Sequence, residues 1–473
     1  MPTLRGWAPK AIGLCAPDPN RCPSGTNVTV TVPASSADEV VDLVSALIRF
    51  DTSNTGDPAT TKGEAECAHW VAQQLQEVGY ETEYVEAGAP GRGNVFARLP
   101  GADPSRGALM IHGHLDVVPA EPADWSVHPF SGAVKDGYVW GRGAVDMKDM
   151  VGMAIAVARH FKRSGIVPPR ELVFAFVSDE EHGGTYGANW LVDNRPDLFD
   201  GVTEAIGEVG GFSLTVPRKD GGERRLYLIE TAEKGLSWMR LTARGRAGHG
   251  SMVHDDNAVT AIAGAVDRLG RHQFPLVLNP AVEQFLTAVA EETGYDFDVN
   301  SPDLDGTIAK LGGVARIVSA TLRDTANPTM LKAGYKANVI PASAEAVIDC
   351  RVLPGRKEAF EREVDALIGP DVTRSWERDL PSYETTFDGD LVDAMNAAIL
   401  ALDPEARTVP YMLSGGTDAK SFQRLGIRCF GFAPLRLPPD LDFAALFHGV
   451  DERVPVDALQ FGAGVLEHFL RNC

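Results

Sequence analysis

The sequence predicts an α/β protein whose body is interrupted by a smaller inserted α+β unit. Three observations predict it. From residue 93 to residue 208, short apolar runs alternate with amphipathic helical stretches, the signature of a largely parallel sheet covered by helices. Near Glu233 the pattern changes to half-exposed strands and shorter helices. After Phe387 the first style resumes.

The elements follow in order. SSADEVVDLVSALIRF supplies Ser and Asp caps ahead of apolar residues at helical spacing. GEAECAHWVAQQLQEVGY reads as a second helix. NVFARLP and ALMIHGHLDVV read as strands, DMKDMVGMAIAVARHFKRSG as a helix, and ELVFAFVSDEE as a buried strand. TYGANWLVDNR is a helix and EAIGEV a strand. In the middle region KGLSWMRLTARGRAG, IVSATLRDT and SAEAVIDCRVLP read as strands, and NAVTAIAGAVDRLGR and KEAFEREVDALIG as helices. That order fits a ferredoxin-like unit. The stretch between Phe274 and Gly313 fits it poorly and reads as an insertion. DLVDAMNAAILAL, RCFGFAPL and VDALQFGAGVLEHFLRNC complete the body as helix, strand and helix. The expected division is a poorly ordered leader over 1–32, a body over 33–233 plus 386–473, and an insert over 234–385.

Bulk properties bound the function. A length of 473 residues with 44% hydrophobic content allows two or three domains with a large core. The formal net charge of −21 disfavours nucleic acid and anionic membrane partners. The first residues lack a sustained apolar run, so neither a signal peptide nor a membrane span is expected. Six cysteines are scattered without a C-x-x-C pair, which suits a reducing, cytoplasmic setting. Cys15 and Cys22 remain a pairing option under export.

Five segments carry chemistry. In IHGHLDVVP, His112, His114 and Asp116 share one strand face near the C-terminal edge of the sheet, where α/β proteins place ligands. A satisfied strand-end histidine is the bland alternative. In WGRGAVDMKDM, Asp146 precedes a helix, as an N-cap or as a carboxylate bridging two cations. In FVSDEEHGG, three acidic residues end an apolar strand, and a cation would offset their repulsion. Adjacent carboxylates there can divide metal binding from proton transfer. Glu208 of AIGEVGG repeats the theme, and FHGVDERV brings His448 and Glu452. Nitrogen and oxygen donors without cysteine suit Zn²⁺, Co²⁺ or Mn²⁺.

GHLDVVP, GRGAVDMKD, DEEHGG, EVGG, GHGS, NVIP, SGGTDA and HGVDE occur in the order seen in the M20 metallopeptidases, which the chain resembles from about Ser35 onward. That group includes glutamate carboxypeptidases, aminoacylases, succinyl-diaminopimelate desuccinylases and acetylornithine deacetylases. The resemblance implies a zinc-peptidase-like α/β catalytic domain with an inserted ferredoxin-like lid and dimerisation domain. It implies two divalent cations, Zn²⁺ first, with Asp146 bridging them. His114 and Glu208 complete one site; Glu181 and His448 complete the other. Asp116 orients His114, and Glu180 is the general base and later acid for metal-activated water. His249 reaches a substrate carbonyl, in dimeric members from the neighbouring subunit. Asn338 and Arg351 hold a substrate carboxylate or polarise its carbonyl, and Gly415, Gly416 and Thr417 form part of the substrate cradle. His112 is expected to pack rather than ligate, and His182 to do nothing specific. Lys234 and Gly235 are expected to mark the hinge into the lid. The implied activity is cleavage of an amide in a small peptide or N-acyl amino acid, by a possible homodimer. The alternatives are a dedicated N-deacylase of one biosynthetic intermediate, and a catalytically silent scaffold that keeps the fold.

Overall fold

The computed structural model describes residues 35–298, 301, 303–310 and 314–473. The expected leader, with Cys15 and Cys22, lies outside the described residues. Among those described, the main sheet has ten strands. At its centre Leu172–Val177, Ala108–His114, Val202–Gly207 and Arg428–Gly431 lie side by side and parallel. Antiparallel strands flank this core, and Glu223–Glu233 pairs in parallel with Arg407–Leu413.

Both faces of the sheet are covered, and the alternation of side chains shows why. Leu172, Phe174 and Phe176 enter one core, while Val173, Ala175 and Val177 enter the other. Each such side chain contributes about 1.5–3 kcal/mol on full burial. The larger core holds the helix Lys148–Ser164, which packs against Ser36–Ile48 and Val456–Asn472. Gly152 permits the first of these contacts, because a Cβ there would lie 2.4 Å from a Val44 methyl. Ser35 caps the first helix through its backbone N–H, which donates to the Asp38 carboxylate at 2.8 Å.

A second, four-stranded sheet is antiparallel throughout. Its spatial order is Thr325–Ala333, Ser343–Val352, Gly235–Arg244 and Val372–Leu380. With helices Ala258–Arg271 and Lys357–Ile368 it forms a ferredoxin-like βαββαβ unit with its own core around Met239, Ile262, Ile348 and Phe360.

Two details differ from the sequence reading. The first half of IVSATLRDT, expected as a strand over 317–325, belongs to the helix Val314–Thr321, and Val318 and Leu322 at i, i+4 pack into the main core. The second strand of the insert is instead Thr325–Ala333, an exposed edge strand whose polar residues and Pro328 hide any period of two. The helix Pro280–Thr293 also packs on the main sheet rather than on the four-stranded one. No described helix is long and apolar enough to cross a membrane.

Candidate metal centre

Three neighbouring parallel strands end at one edge of the main sheet, and each delivers acidic or imidazole groups there. His114 is the last residue of its strand. Glu180 and Glu181 open the turn that follows Leu172–Val177, and Glu208 directly follows Val202–Gly207. Asp146 comes from the turn before the helix Lys148–Ser164. His448 comes from a loop near the C-terminus and holds a left-handed backbone, φ 57°.

The geometry pairs these groups through Asp146. One Asp146 oxygen lies 3.3 Å from His114 Nε2 and the other 3.1 Å from His448 Nε2. Glu208 lies 3.5 Å from His114 Nε2, and Glu181 lies 3.2 Å from His448 Nε2. Glu180 is 4.0 Å from His114. Two metal-sized groupings result: His114, Glu180 and Glu208, and His114, Asp146 and Glu181. Glu180 is thus within ligating reach as well as beside the cluster.

The electrostatics are those of a site short of positive charge. Burial pushes Glu208 up to about 7, with His114 opposing. Burial and then Glu208 raise Glu180 well above the usual carboxylate range. Burial and then Asp146 raise Glu181. Burial also works to raise Asp146, but hydrogen bonds from His114 and His448 outweigh it and hold its carboxyl low. Hydrogen bonds to Asp146 and Glu181 push His448 up to about 10. Four acidic groups crowded around two imidazoles are costly without cations. The all nitrogen and oxygen donor set fits Zn²⁺, Co²⁺ or Mn²⁺.

A surrounding shell fixes these groups. His114 Nδ1 lies 2.9 Å from the Asp116 carbonyl oxygen. A carbonyl only accepts, so Nδ1 carries a proton and donates there, which turns Nε2 toward the cluster. The Asp116 carboxylate, 3.6 Å from the same nitrogen, instead accepts from Asn54 Nδ2 and the backbone N–H of Glu180 and Glu181. Glu452 accepts from Arg142 and from the Val145 N–H, which holds the turn bearing Asp146. Arg142 also donates to the His448 carbonyl.

The cluster opens into a cavity of about 500 Å³ bounded by both sheets. Gly415, Gly416, Thr417 and Arg351 line it with the acidic groups and His448. His249 and Asn338 do not. They sit exposed at a short strand pair, with Gly250 N–H donating to the Asn338 carbonyl at 2.9 Å. His112 packs edge-on against Phe422, and burial pushes its pKa down to about 3. The His182 ring faces Gly56, away from the cavity lining.

Sequence reasoning missed several groups. Tyr411, Phe212, Phe443 and Phe447 form a continuous aromatic wall, with successive ring centroids 5.8, 5.0 and 5.2 Å apart. Their apolar character was visible, but it reads equally as core. Glu233 is fully buried and accepts from Thr417 N–H, Thr417 Oγ1 and Lys420 Nζ. Trp238 and Arg378 reach the cavity from the four-stranded sheet.

Comparison with known proteins identifies the family. The family model described as peptidase family M20/M25/M40 matches residues 110–472. The chain is 27% identical over 443 residues to the N-fatty-acyl-amino acid synthase/hydrolase PM20D1 of Xenopus tropicalis, covering 89% of this chain and 83% of that one. It is 27% identical over 401 residues to aminoacylase-1 of Sus scrofa, covering 81% and 84%. Among solved structures, an M20 family metallo-carboxypeptidase from Sulfolobus solfataricus shares the fold with a TM-score of 0.68, at 19% identity, covering 92% and 99%. Human carnosine dipeptidase 1 does so at 0.64 and 18%, covering 92% and 97%. The chain belongs to peptidase family M20/M25/M40 and is an enzyme of the M20 metallopeptidase and aminoacylase type.

Proposed function

We propose that the chain is a dinuclear metal-dependent hydrolase that cleaves the amide of an N-acyl amino acid with an apolar acyl group. The observation that carries the dinuclear reading is Asp146, with one oxygen toward each histidine. His114 and Glu208 would hold one cation, Glu181 and His448 the other, and Asp146 would be shared between them. When bound, the two cations polarise the scissile carbonyl and lower the pKa of the attacking water. Glu180 takes the proton of that water and passes it to the leaving amine. The bond from His114 Nδ1 to the Asp116 carbonyl, and the bond from Arg142 to the His448 carbonyl, keep the two histidines aimed inward. Gly415, Gly416 and Thr417 line the substrate's path, with Thr417 held by Glu233.

The aromatic wall supports the apolar substrate. Phe447 is the neighbour of His448 in the chain, so the wall begins beside the cluster. The relatives named as an N-fatty-acyl-amino acid synthase/hydrolase and an aminoacylase favour the same class. A homodimer through the four-stranded sheet is part of the proposal. Met252, Val253, Met330, Leu331 and Tyr335 are exposed apolar residues on that unit. His249 lies outside its own cavity, and the partner's His249 would complete the site. A cytoplasmic location is also part of the proposal; among the described residues Cys67, Cys350, Cys429 and Cys473 are buried thiols, and cell fractionation checks the location.

The deciding experiment is hydrolysis of N-acyl amino acids before and after chelation, with metal analysis on the same sample. Chelation should abolish turnover, and Zn²⁺, Co²⁺ or Mn²⁺ should restore it. Glu180→Gln should lower kcat by about 10²–10⁴-fold while metal content is retained. Full activity after verified metal loss overturns the reading.

A further inference from the structure

We propose that Asp418 accepts the N–H of the scissile amide and holds the leaving amine while the C–N bond breaks. The inference rests on the amide-hydrolase reading above. Among the described residues, five acidic side chains line the cavity: Asp146, Glu180, Glu181, Glu208 and Asp418. Four already have a place in that reading. Asp146, Glu181 and Glu208 face the two histidines, and Glu180 stands beside them as the base. Asp418 belongs to neither metal-sized grouping. It is 5% exposed, and its Oδ2 is buried with no hydrogen-bond partner.

Its backbone is held on both sides. Thr417 N–H donates to Glu233 at 2.9 Å, and the Asp418 carbonyl accepts from Ser421 N–H at 2.9 Å. Ser421 Oγ donates to Asn189 Oδ1 at 2.9 Å, and Asn189 Nδ2 donates to the Gly183 carbonyl at 2.7 Å. Asn189 thereby ties the Asp418 segment to the turn that carries Glu180. The carboxyl leans the same way. A Cβ on Gly184, φ 69°, would lie 3.4 Å from Asp418 Oδ1. Asp418 is also among the charges that raise Glu180. It therefore stands on the Glu180 side of the cluster, whereas the aromatic wall begins on the His448 side.

A buried carboxyl without a donor is unfavourable. Burial raises the Asp418 pKa well above its ordinary value; His114 opposes, and Glu208 adds to the rise. The substrate supplies the missing donor. Its amide has one acceptor, the carbonyl, and one donor, the N–H. With the acyl group on the aromatic wall, the N–H falls on the Glu180 side, where Asp418 is the acidic group without a partner. When the C–N bond breaks, its electron pair goes to the nitrogen, which takes the proton held by Glu180. Asp418 transfers no proton. It keeps its hydrogen bond to the nitrogen and offsets the positive charge that builds there. An ester offers it no such donor.

The test uses the metal-loaded full chain. Hydrolysis of N-octanoyl-L-phenylalanine is compared with that of its oxygen analogue, O-octanoyl-L-3-phenyllactate, which lacks the N–H. Asp418→Ala should lower kcat/KM for the amide about 10- to 100-fold, the range of a hydrogen bond to a charged group, and for the ester far less. Asp418→Asn keeps an acceptor oxygen without the charge and should fall between. A residue that only supports the fold would lower amide and ester alike, so an amide-to-ester ratio that does not move in Asp418→Ala overturns the assignment. If neither variant folds, the parent chain decides. N-octanoyl-N-methyl-L-phenylalanine has no N–H and should be cleaved at least about 10-fold more slowly than the unmethylated amide; equal cleavage overturns the assignment. Failure of the underlying reading is distinct, because the parent then cleaves neither amide nor ester.

Discussion

At the scale of the residue, Asp146 presents one oxygen to each histidine, so its two halves are not equivalent to two separate ligands. Asp146→Ala should therefore abolish binding of both cations. Glu208→Ala should remove one equivalent, read by plasma mass spectrometry after dialysis. The pH dependence has a definite sign. His448 is raised from 6.5 to about 10 by Asp146 and Glu181. Its imidazolium stabilises the chelated fold fully below the unfolded value, and that contribution is lost as pH rises toward the folded one. Glu208, raised from 4.5 to about 7 by burial, acts in the same direction. Between those values the folded state holds the extra proton, so stability falls as pH rises. The Tm of chelated protein should fall from about pH 5 to pH 9, and bound cations should flatten that slope because they replace the protons. Glu180, Glu181 and Glu208 were legible in the sequence because they follow apolar strand runs, whereas Asp146, after a Gly-rich turn, read equally as a helix N-cap. Arg378 was not legible. It stands in VTRSWERDL, where charged residues on an exposed strand are ordinary, and only folding brings it to Gly183.

At the scale of the element, the passage between the two sheets is anchored on both sides. Glu233 ends one strand and holds the 417–420 segment, while Lys234 donates to the carbonyls of Ala320 and Arg323. The hinge expected at Lys234 and Gly235 is a tightly bonded junction in this structure. Glu233→Ala leaves Lys420 buried without its carboxylate and should lower stability by about 3–5 kcal/mol. Glu377→Ala, which removes the exposed partner of Arg240, should change it by about 0–1 kcal/mol. Urea unfolding of both variants makes the comparison. Strands with continuous apolar runs were read correctly, since Leu172–Val177 and Ala108–His114 are buried on both faces. Thr325–Ala333 escaped because an edge strand buries almost nothing and keeps no pattern. Val314–Thr321 was misread because a short apolar run fits either period, and only its packing on the main core decides for helix.

At the scale of the whole molecule, the order of motifs along the chain gave the family, and alternation of strands and helices gave the architecture. The lining of the cavity was not legible, because it is assembled from many separate segments between Asp146 and His448 that share no local signal. His249 and Asn338 lie on two paired segments outside the cavity, and sequence spacing alone does not distinguish this outcome from a place in its lining. The four-stranded sheet keeps a core separate from the one beneath the cluster, while every proposed cation donor belongs to the main body. Cations can then stabilise only the unit that binds them. A calorimetric scan should resolve two heat-absorption peaks, and chelation should shift one and leave the other in place. A single peak that moves as a whole would mean that the two cores melt as one cooperative unit, and that metal affinity is spent on the entire chain.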